Sequence, residues 1–217
     1  MSNTMINTKE LKEILENQSS LLLDLRPAEA FLNGFIPGSI SAGVSTKYDK
    51  WILEAIGGEP VVLITEAGKE KTGIDRFEKL VAADLLYVLE GGYDAWVQAA
   101  QQSDLVIEVE ADELALDLPY DSSLQLIDLR GEEEFEASHV SKAQHIPLAE
   151  LVDLATIANF DEDQQLYLYC GGGQRSLLAA SLIKRQGVHN LRVVAGGFPA
   201  IELEKSITLT QKQDHSG

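Results

Sequence analysis

Leu166-Tyr167-Leu168-Tyr169-Cys170-Gly171-Gly172-Gly173-Gln174-Arg175-Ser176 sets an apolar run directly against a thiol, three glycines and a cation. The run reads as a buried strand, and Ser176 to Gln186, closed by Gly187, reads as an amphipathic helix. A thiol between a strand end and a helix start sits where unpaired backbone N–H groups and the helix dipole favour negative charge. Glycines let successive N–H groups turn towards one point, and Arg175 adds a cation that does not titrate. All three features favour a thiolate at Cys170. The competing reading of a lone cysteine is a small buried hydrophobe. That role needs neither the glycines nor the arginine. Cys170 is therefore read as a reactive sulfur in an anion-binding nest of Gly171, Gly172, Gly173, Gln174, Arg175 and Ser176.

Outward from this loop the sequence repeats itself. Leu126-Ile127-Asp128-Leu129-Arg130 answers Leu22-Leu23-Asp24-Leu25-Arg26 at an offset of 104 residues, and Phe135 answers Phe31. Leu166 to Tyr169 answers Val62 to Thr65, and Gly196-Gly197-Phe198 answers Gly91-Gly92-Tyr93 one residue further along. A shared offset over separate landmarks marks a tandem duplication. Two domains are expected, 1–103 and 104–217, joined near Gln101-Gln102-Ser103-Asp104. At the same offset Cys170 falls on Glu66, Arg175 on Lys71, Ser176 on Thr72 and His139 on Phe35. A carboxylate is no sulfur nucleophile, and Glu66 turned inward would repel an anion. The first copy is expected to be inactive, with a role in packing or partner contact, and the second to be catalytic.

Each copy alternates strand and helix signals. In the first, Thr8 onward has helical spacing, Leu21 to Arg26, Val61 to Thr65 and Leu85 to Leu89 read as strands, and Gly34 to Gly38 as a turn. A helix is expected over Ile74 to Ala83. Near-continuous apolar strands alternating with helices predict an α/β fold, each copy a central parallel sheet with helices on both faces.

Composition narrows the function classes. The formal charge of −18 argues against nucleic-acid or anionic-membrane partners, which need clustered Lys and Arg. No apolar run approaches a membrane span, and no basic-then-apolar leader opens the sequence. One cysteine excludes an internal disulfide and suits a reducing, cytoplasmic setting. Residues 1–103 carry 9 − 15 = −6 and residues 104–217 carry 8 − 20 = −12. Glu132-Glu133-Glu134 and Glu136 read as a solvated helix face, or as an acidic rim selecting a basic partner.

Asp128-Leu129-Arg130, Glu134-Phe135-Glu136-Ala137-Ser138-His139-Val140, Cys170-X-X-Gly173-X-Arg175-Ser176 and Gly196-Gly197-Phe198 together resemble the rhodanese-type sulfurtransferases, in tandem form with a degenerate first copy. The resemblance implies a Cys170 persulfide. Its sulfane sulfur would come from a small donor such as thiosulfate or 3-mercaptopyruvate. The family's turn after the histidine commonly reads Ile-Pro-Gly-Ala, whereas here it is Val140-Ser141-Lys142-Ala143. The loop is nearer the Cys-X-X-Gly-X-Arg type of small bacterial members than the mercaptopyruvate type, so the donor stays open. No second cysteine exists, so the acceptor is an external thiol, a partner-protein cysteine or cyanide. Asp128 and Arg130 read as a structural ion pair, and His139 as a hydrogen-bonded structural histidine. No histidine has a metal-ligand partner at usual spacing, and neither metal nor cofactor is expected. Cysteine phosphatases and arsenate reductases also pair Cys with Arg, but generally with five residues between them. Here four intervene, a ring better suited to a single sulfur than to a phosphate. A non-catalytic sulfur-relay or scaffold role is the remaining alternative.

Overall fold

The computed structural model describes residues 4–43, 49, 52, 59–79, 81, 85–161 and 163–212. The chain divides into two compact units, Met1–Leu105 and Val106–Gly217. In the first unit β1 (Thr4–Ile6), α1 (Thr8–Asn17), β2 (Leu21–Asp24), α2 (Ala28–Leu32), β3 (Ile40–Ser41), β4 (Val61–Ile64), α3 (Glu70–Phe77), β5 (Leu86–Leu89) and α4 (Gly92–Gln98) follow in order. Its strands form one parallel sheet in the order β1-β5-β4-β2-β3.

The second unit repeats the plan with β6 (Ile107–Val109), α5 (Ala111–Asp117), β7 (Leu124–Asp128), α6 (Glu132–Ala137), β8 (Ser138–Val140) and β9 (Gln144–His145). A 3-10 turn (Leu148–Val152), α7 (Leu154–Ile157), β10 (Gln165–Tyr169), α8 (Gln174–Arg185), β11 (Leu191–Val194), α9 (Phe198–Leu203) and β12 (Leu209–Gln211) complete it. The parallel order is β6-β11-β10-β7-β9, the same as in the first unit. Each sheet is flanked by helices on both faces. β12 adds an antiparallel ribbon against β8, which the sequence reading did not anticipate.

The strands are buried because they lie between helix layers, which is why they read as unbroken apolar runs. Leu126, Tyr167, Tyr169, Val194, Phe198 and Ile201 close one core of the second unit. Ile6, Leu11, Leu22, Val62, Leu89 and Trp96 do so in the first. Among the described residues no helix is long and apolar enough to cross a membrane.

Two expectations shift. The helix expected over Ile74 to Ala83 runs Glu70–Phe77, and residues 80, 82 and 83 of that expectation lie outside the described residues. The helix runs through Gly73, although a glycine inside a helix costs about 1 kcal/mol against alanine. The small residue suits tight packing there, since a Cβ would stand 3.1 Å from both Leu25 Cδ1 and Thr65 Cγ2.

The second shift is in the correspondence of the two copies. Asp24 pairs with Ile64 across the sheet, and Asp128 with Tyr169. Leu25 N–H donates to Ile64 O (2.8 Å), as Leu129 N–H does to Tyr169 O (2.9 Å). The offset is 104 from the Asp-Arg motif through β3 and β9 and 105 from β4 and β10 onward, so Val61–Ile64 answers Leu166–Tyr169. Thr65, not Glu66, occupies the cysteine position of the first copy. Glu66 lies next along the loop and is exposed rather than turned inward.

Candidate active site at the Cys170 loop

The loop starts where β10 ends, at the carboxyl end of the sheet's central strand. Cys170 is 1% exposed, as deep as the strand before it. Gly171, Gly172 and Gly173 then turn the chain into α8, and Gly173 does so at φ +83°, in the left-handed region that favours glycine. The first helical hydrogen bond is Leu177 N–H to Gly173 O, at 3.2 Å. The N–H groups of Gln174, Arg175 and Ser176 precede it, so they have no acceptor one turn back and concentrate positive potential at the loop. Ser176 is fully buried in the first turn, and its Oγ has no hydrogen-bond partner within the protein.

A second glycine pair backs the loop. Phe198 N–H donates to Cys170 O at 2.6 Å. Gly197, at φ +62°, lies so close that a Cβ there would overlap that carbonyl oxygen and stand 3.0 Å from Gly172 N. The Gly196-Gly197-Phe198 motif, legible in the sequence as a repeat landmark and as part of the resemblance, is thus what holds the Cys170 backbone. In the first unit Tyr93 N–H meets Thr65 O (3.3 Å), and a Cβ at Gly92 would overlap the same atom.

Asp128 and Arg130 lie beneath this layer, both buried. Arg130 donates to Asp128 from its backbone N–H (3.0 Å), from Nε (3.0 Å) and from Nη2 (2.6 Å), and Nη2 also reaches Ser138 O at 2.7 Å. Its guanidinium covers the Phe198 ring at 3.7 Å. Burial, reinforced by the Asp128 carboxylate, pushes the Tyr169 phenol far above its usual range, so it stays neutral. His139 donates from Nδ1 to Phe135 O (2.8 Å), and its ring stacks on Phe135 at 3.8 Å. His145, which the sequence reading set aside, stacks on the same ring at 4.3 Å and donates from Nε2 to Arg130 O at 2.9 Å. A nitrogen facing a carbonyl must carry the proton, which fixes both tautomers.

The feature that sequence reasoning missed is the partner of Arg175. Its Nη1 donates to Glu134 Oε2 at 3.0 Å and its Nη2 to Oε1 at 3.1 Å, a two-pronged pair at the start of α6. The same carboxylate accepts Gly131 N–H at 3.1 Å. The Arg175 hydrogen bonds are the main cause holding the Glu134 carboxyl below the ordinary range. Of the acidic run, Glu134 is thus the residue that bonds the loop arginine, although it is exposed like Glu132 and Glu133. Among the described residues, no three His, Cys, Asp or Glu side chains gather to hold a metal ion.

The rhodanese-like domain model matches the chain twice, over residues 7–99 and 110–204. The chain belongs to the rhodanese-like family. It is similar to the putative sulfur carrier protein YrkF of Bacillus subtilis, 28% identical over 135 residues that cover 61% of this chain and 70% of that protein. It is also similar to the thiosulfate sulfurtransferase PspE of Escherichia coli, 29% identical over 92 residues covering 42% of this chain and 88% of the relative. Among solved structures, a thiosulfate sulfurtransferase from Pseudomonas aeruginosa matches with a TM-score of 0.44 and 17% identity, covering 97% of this rhodanese-like chain and 44% of that one.

Proposed function

We propose that the chain is a sulfurtransferase in which Cys170 carries sulfane sulfur as a persulfide. The donor is a small compound such as thiosulfate or 3-mercaptopyruvate, and the acceptor is a thiol outside the chain or cyanide. The observation that carries this reading is the position of Cys170 at the end of β10, with a three-glycine loop leading from it into the first turn of α8. Family membership supports it, as does the similarity to the Bacillus sulfur carrier and the Escherichia thiosulfate sulfurtransferase.

The cycle is two displacements at sulfur. The Cys170 thiolate attacks the outer sulfur of thiosulfate, a new S–S bond forms, the donor's S–S bond breaks, and sulfite leaves with the electron pair. An acceptor thiolate then attacks the outer sulfur of the persulfide, and the Cys170 thiolate leaves. With cyanide the product is thiocyanate. The loop N–H groups stabilise the anionic persulfide between the two steps. Gly171, Gly172 and Gly173 leave room for the extra sulfur, Gln174 and Ser176 supply N–H donors, and Arg175 orients the loop. Asp128, Arg130 and His139 act by holding the loop's supports rather than by touching sulfur.

The first copy, with Thr65 where the thiol would stand, carries no sulfur, because a hydroxyl is not held as an anion at neutral pH. A reducing cytoplasm suits a lone thiol that must not be captured in a disulfide. The test is intact mass after incubation with thiosulfate. A gain of one sulfur, removed by cyanide and absent in Cys170→Ser, is expected. Hydrolysis of aryl phosphates without any sulfur gain would overturn the reading.

A further inference from the structure

The nest that would draw in an anion has a carboxylate built against it. Glu134 meets Arg175 with both oxygens, at 3.0 and 3.1 Å, and is fixed from its other side by Gly131 N–H at 3.1 Å. The pair lies on the loop itself. A Cβ at Gly171, the residue after the thiol, would stand 2.7 Å from Arg175 Nη2 and 3.2 Å from Glu134 Oε1. Arg175 is the only cation between Cys170 and Ser176. The neighbouring guanidinium of Arg130 is buried and bonded to Asp128, so it cannot turn towards a ligand. Both guanidinium groups beside the site are therefore committed to carboxylates.

Building on the sulfurtransferase reading, we infer that Glu134 is a specificity-determining residue. It selects against doubly charged thiosulfate and in favour of sulfur delivered as a hydropersulfide of an organic thiol, R–S–SH. Coulomb energy scales with the charge of the incoming donor. A dianion meets the Glu134 charge at full strength, and to engage Arg175 it must displace a two-pronged carboxylate. A hydropersulfide presents its sulfane sulfur at the end of a slim chain with at most one charge on the reacting group. The transfer balances without any oxidant or reductant. Cys170–S⁻ attacks the terminal sulfur of R–S–SH, the donor's S–S bond breaks, R–S⁻ leaves with the electron pair, and Cys170–S–SH remains.

The experiment compares thiosulfate with cysteine hydropersulfide as donors to the full chain, with cyanide as acceptor, measuring kcat and KM for each. Glu134→Gln is expected to lower the thiosulfate KM about tenfold, with kcat within about twofold. It should lower the hydropersulfide KM by about threefold or less, since the effect on a monoanion is the square root of that on a dianion. Glu134→Asp, which keeps the charge, should keep the wild-type donor ratio. Glu132→Gln removes the same charge from an exposed position away from Arg175, and should also leave the ratio unchanged. An equal change for both donors in Glu134→Gln overturns the inference. So does a fall in both rates with a lowered Tm, which would mark Glu134 as a helix cap alone. If Glu132→Gln matches Glu134→Gln, the effect is the general field and the inference also fails. If the wild-type chain takes sulfur from neither donor, it is the sulfurtransferase reading that falls, and the inference with it.

Discussion

Replacing Gly197 by alanine tests whether the second glycine pair holds the Cys170 loop. Gly197 has φ +62° and ψ −147°, a region essentially reserved for glycine. Forcing a side chain into it costs about 1–3 kcal/mol. The new Cβ would overlap Cys170 O and stand 3.0 Å from Cys170 C and Gly172 N, all backbone, so no side chain can swing aside. The loop must retreat by roughly 1 Å, which breaks the 2.6 Å bond from Phe198 N–H to Cys170 O and costs about 1 kcal/mol more. The expected total is about 2–4 kcal/mol, confined to the unit Val106–Gly217. That corresponds to a fall in Tm on the order of 10 °C or more for a domain of this size. The two units need not unfold together, so hydrogen exchange resolved by peptide is the stability assay. Sulfur loading of Cys170, followed by intact mass, is the functional one. A displacement on the order of 1 Å at a reacting group costs about a hundredfold in rate. Gly172→Ala is the control, because no atom lies within 4 Å of the Cβ it would add. It should stay within about 0.5 kcal/mol of wild type. If Gly197→Ala unfolds and loads as wild type does, the backing role assigned to this glycine is wrong.

The remaining predictions concern charge. Asp128→Ala strips a buried guanidinium of its carboxylate. It should cost about 3–5 kcal/mol, read as a lower urea midpoint for the second unit. The Glu134 carboxyl lies below its ordinary value of 4.5, chiefly through the Arg175 hydrogen bonds. A depressed folded-state value contributes stability that is fully present above about pH 4.5 and lost as pH falls through the folded value. The Tm advantage of wild type over Glu134→Gln should therefore hold from pH 7 to 5 and shrink as pH falls below 4.5 through the lowered folded value. The Glu134 side chain is 44% exposed, so screening keeps that advantage under about 1 kcal/mol. An advantage undiminished at pH 3 would mean the carboxylate charge is not its source.

The sheet was legible because its strands are buried on both faces and so lack polar interruptions. Leu21-Leu22-Leu23 and Leu166-Tyr167-Leu168-Tyr169 could hardly be anything else between turn signals. The duplication was legible from Asp24 and Arg26 against Asp128 and Arg130. The register between copies was misjudged by one residue at the loop, because the extra residue falls between β9 and β10 (β3 and β4 in the first unit), where no landmark repeats. The sequence did hold the correction, since the Gly-Gly-aromatic motifs already stood one residue further apart. The Glu134–Arg175 pair was not legible at all. Its members are 41 residues apart on different helices, and only the parallel crossing from β7 to β10 brings them together. An acidic run on a short helix carries no periodic signal that separates the carboxylate bonded to Arg175 from the others.

The two copies separate what builds the loop from what acts in it. Arg26 grips Asp24 with the same 3.0 Å and 2.6 Å bonds that Arg130 makes to Asp128, reaches Gly34 O at 2.7 Å, and covers Tyr93 at 3.9 Å as Arg130 covers Phe198. Gly68 turns at φ +81°, matching Gly173 at φ +83°. Phe31 stacks on Phe35 at 4.1 Å where Phe135 stacks on His139. Every one of these supports survives in a copy whose loop opens with Thr65. Selection for sulfur chemistry cannot be what maintains them there, so they belong to the fold. What differs is a short list at the loop itself. Thr65 stands at the position that Cys170 has in the second unit, and Glu66-Ala67 at that of Gly171-Gly172. Where Arg175 holds Glu134, the corresponding Glu70 accepts Gly91 N–H at 3.2 Å. The Asp-Arg clamp persists in the first unit, which argues that it serves the fold, and the ring stack on the α6 phenylalanine persists there with Phe35 in place of His139. The chemistry is left to Cys170, its glycines, and the ion pair that lies against them.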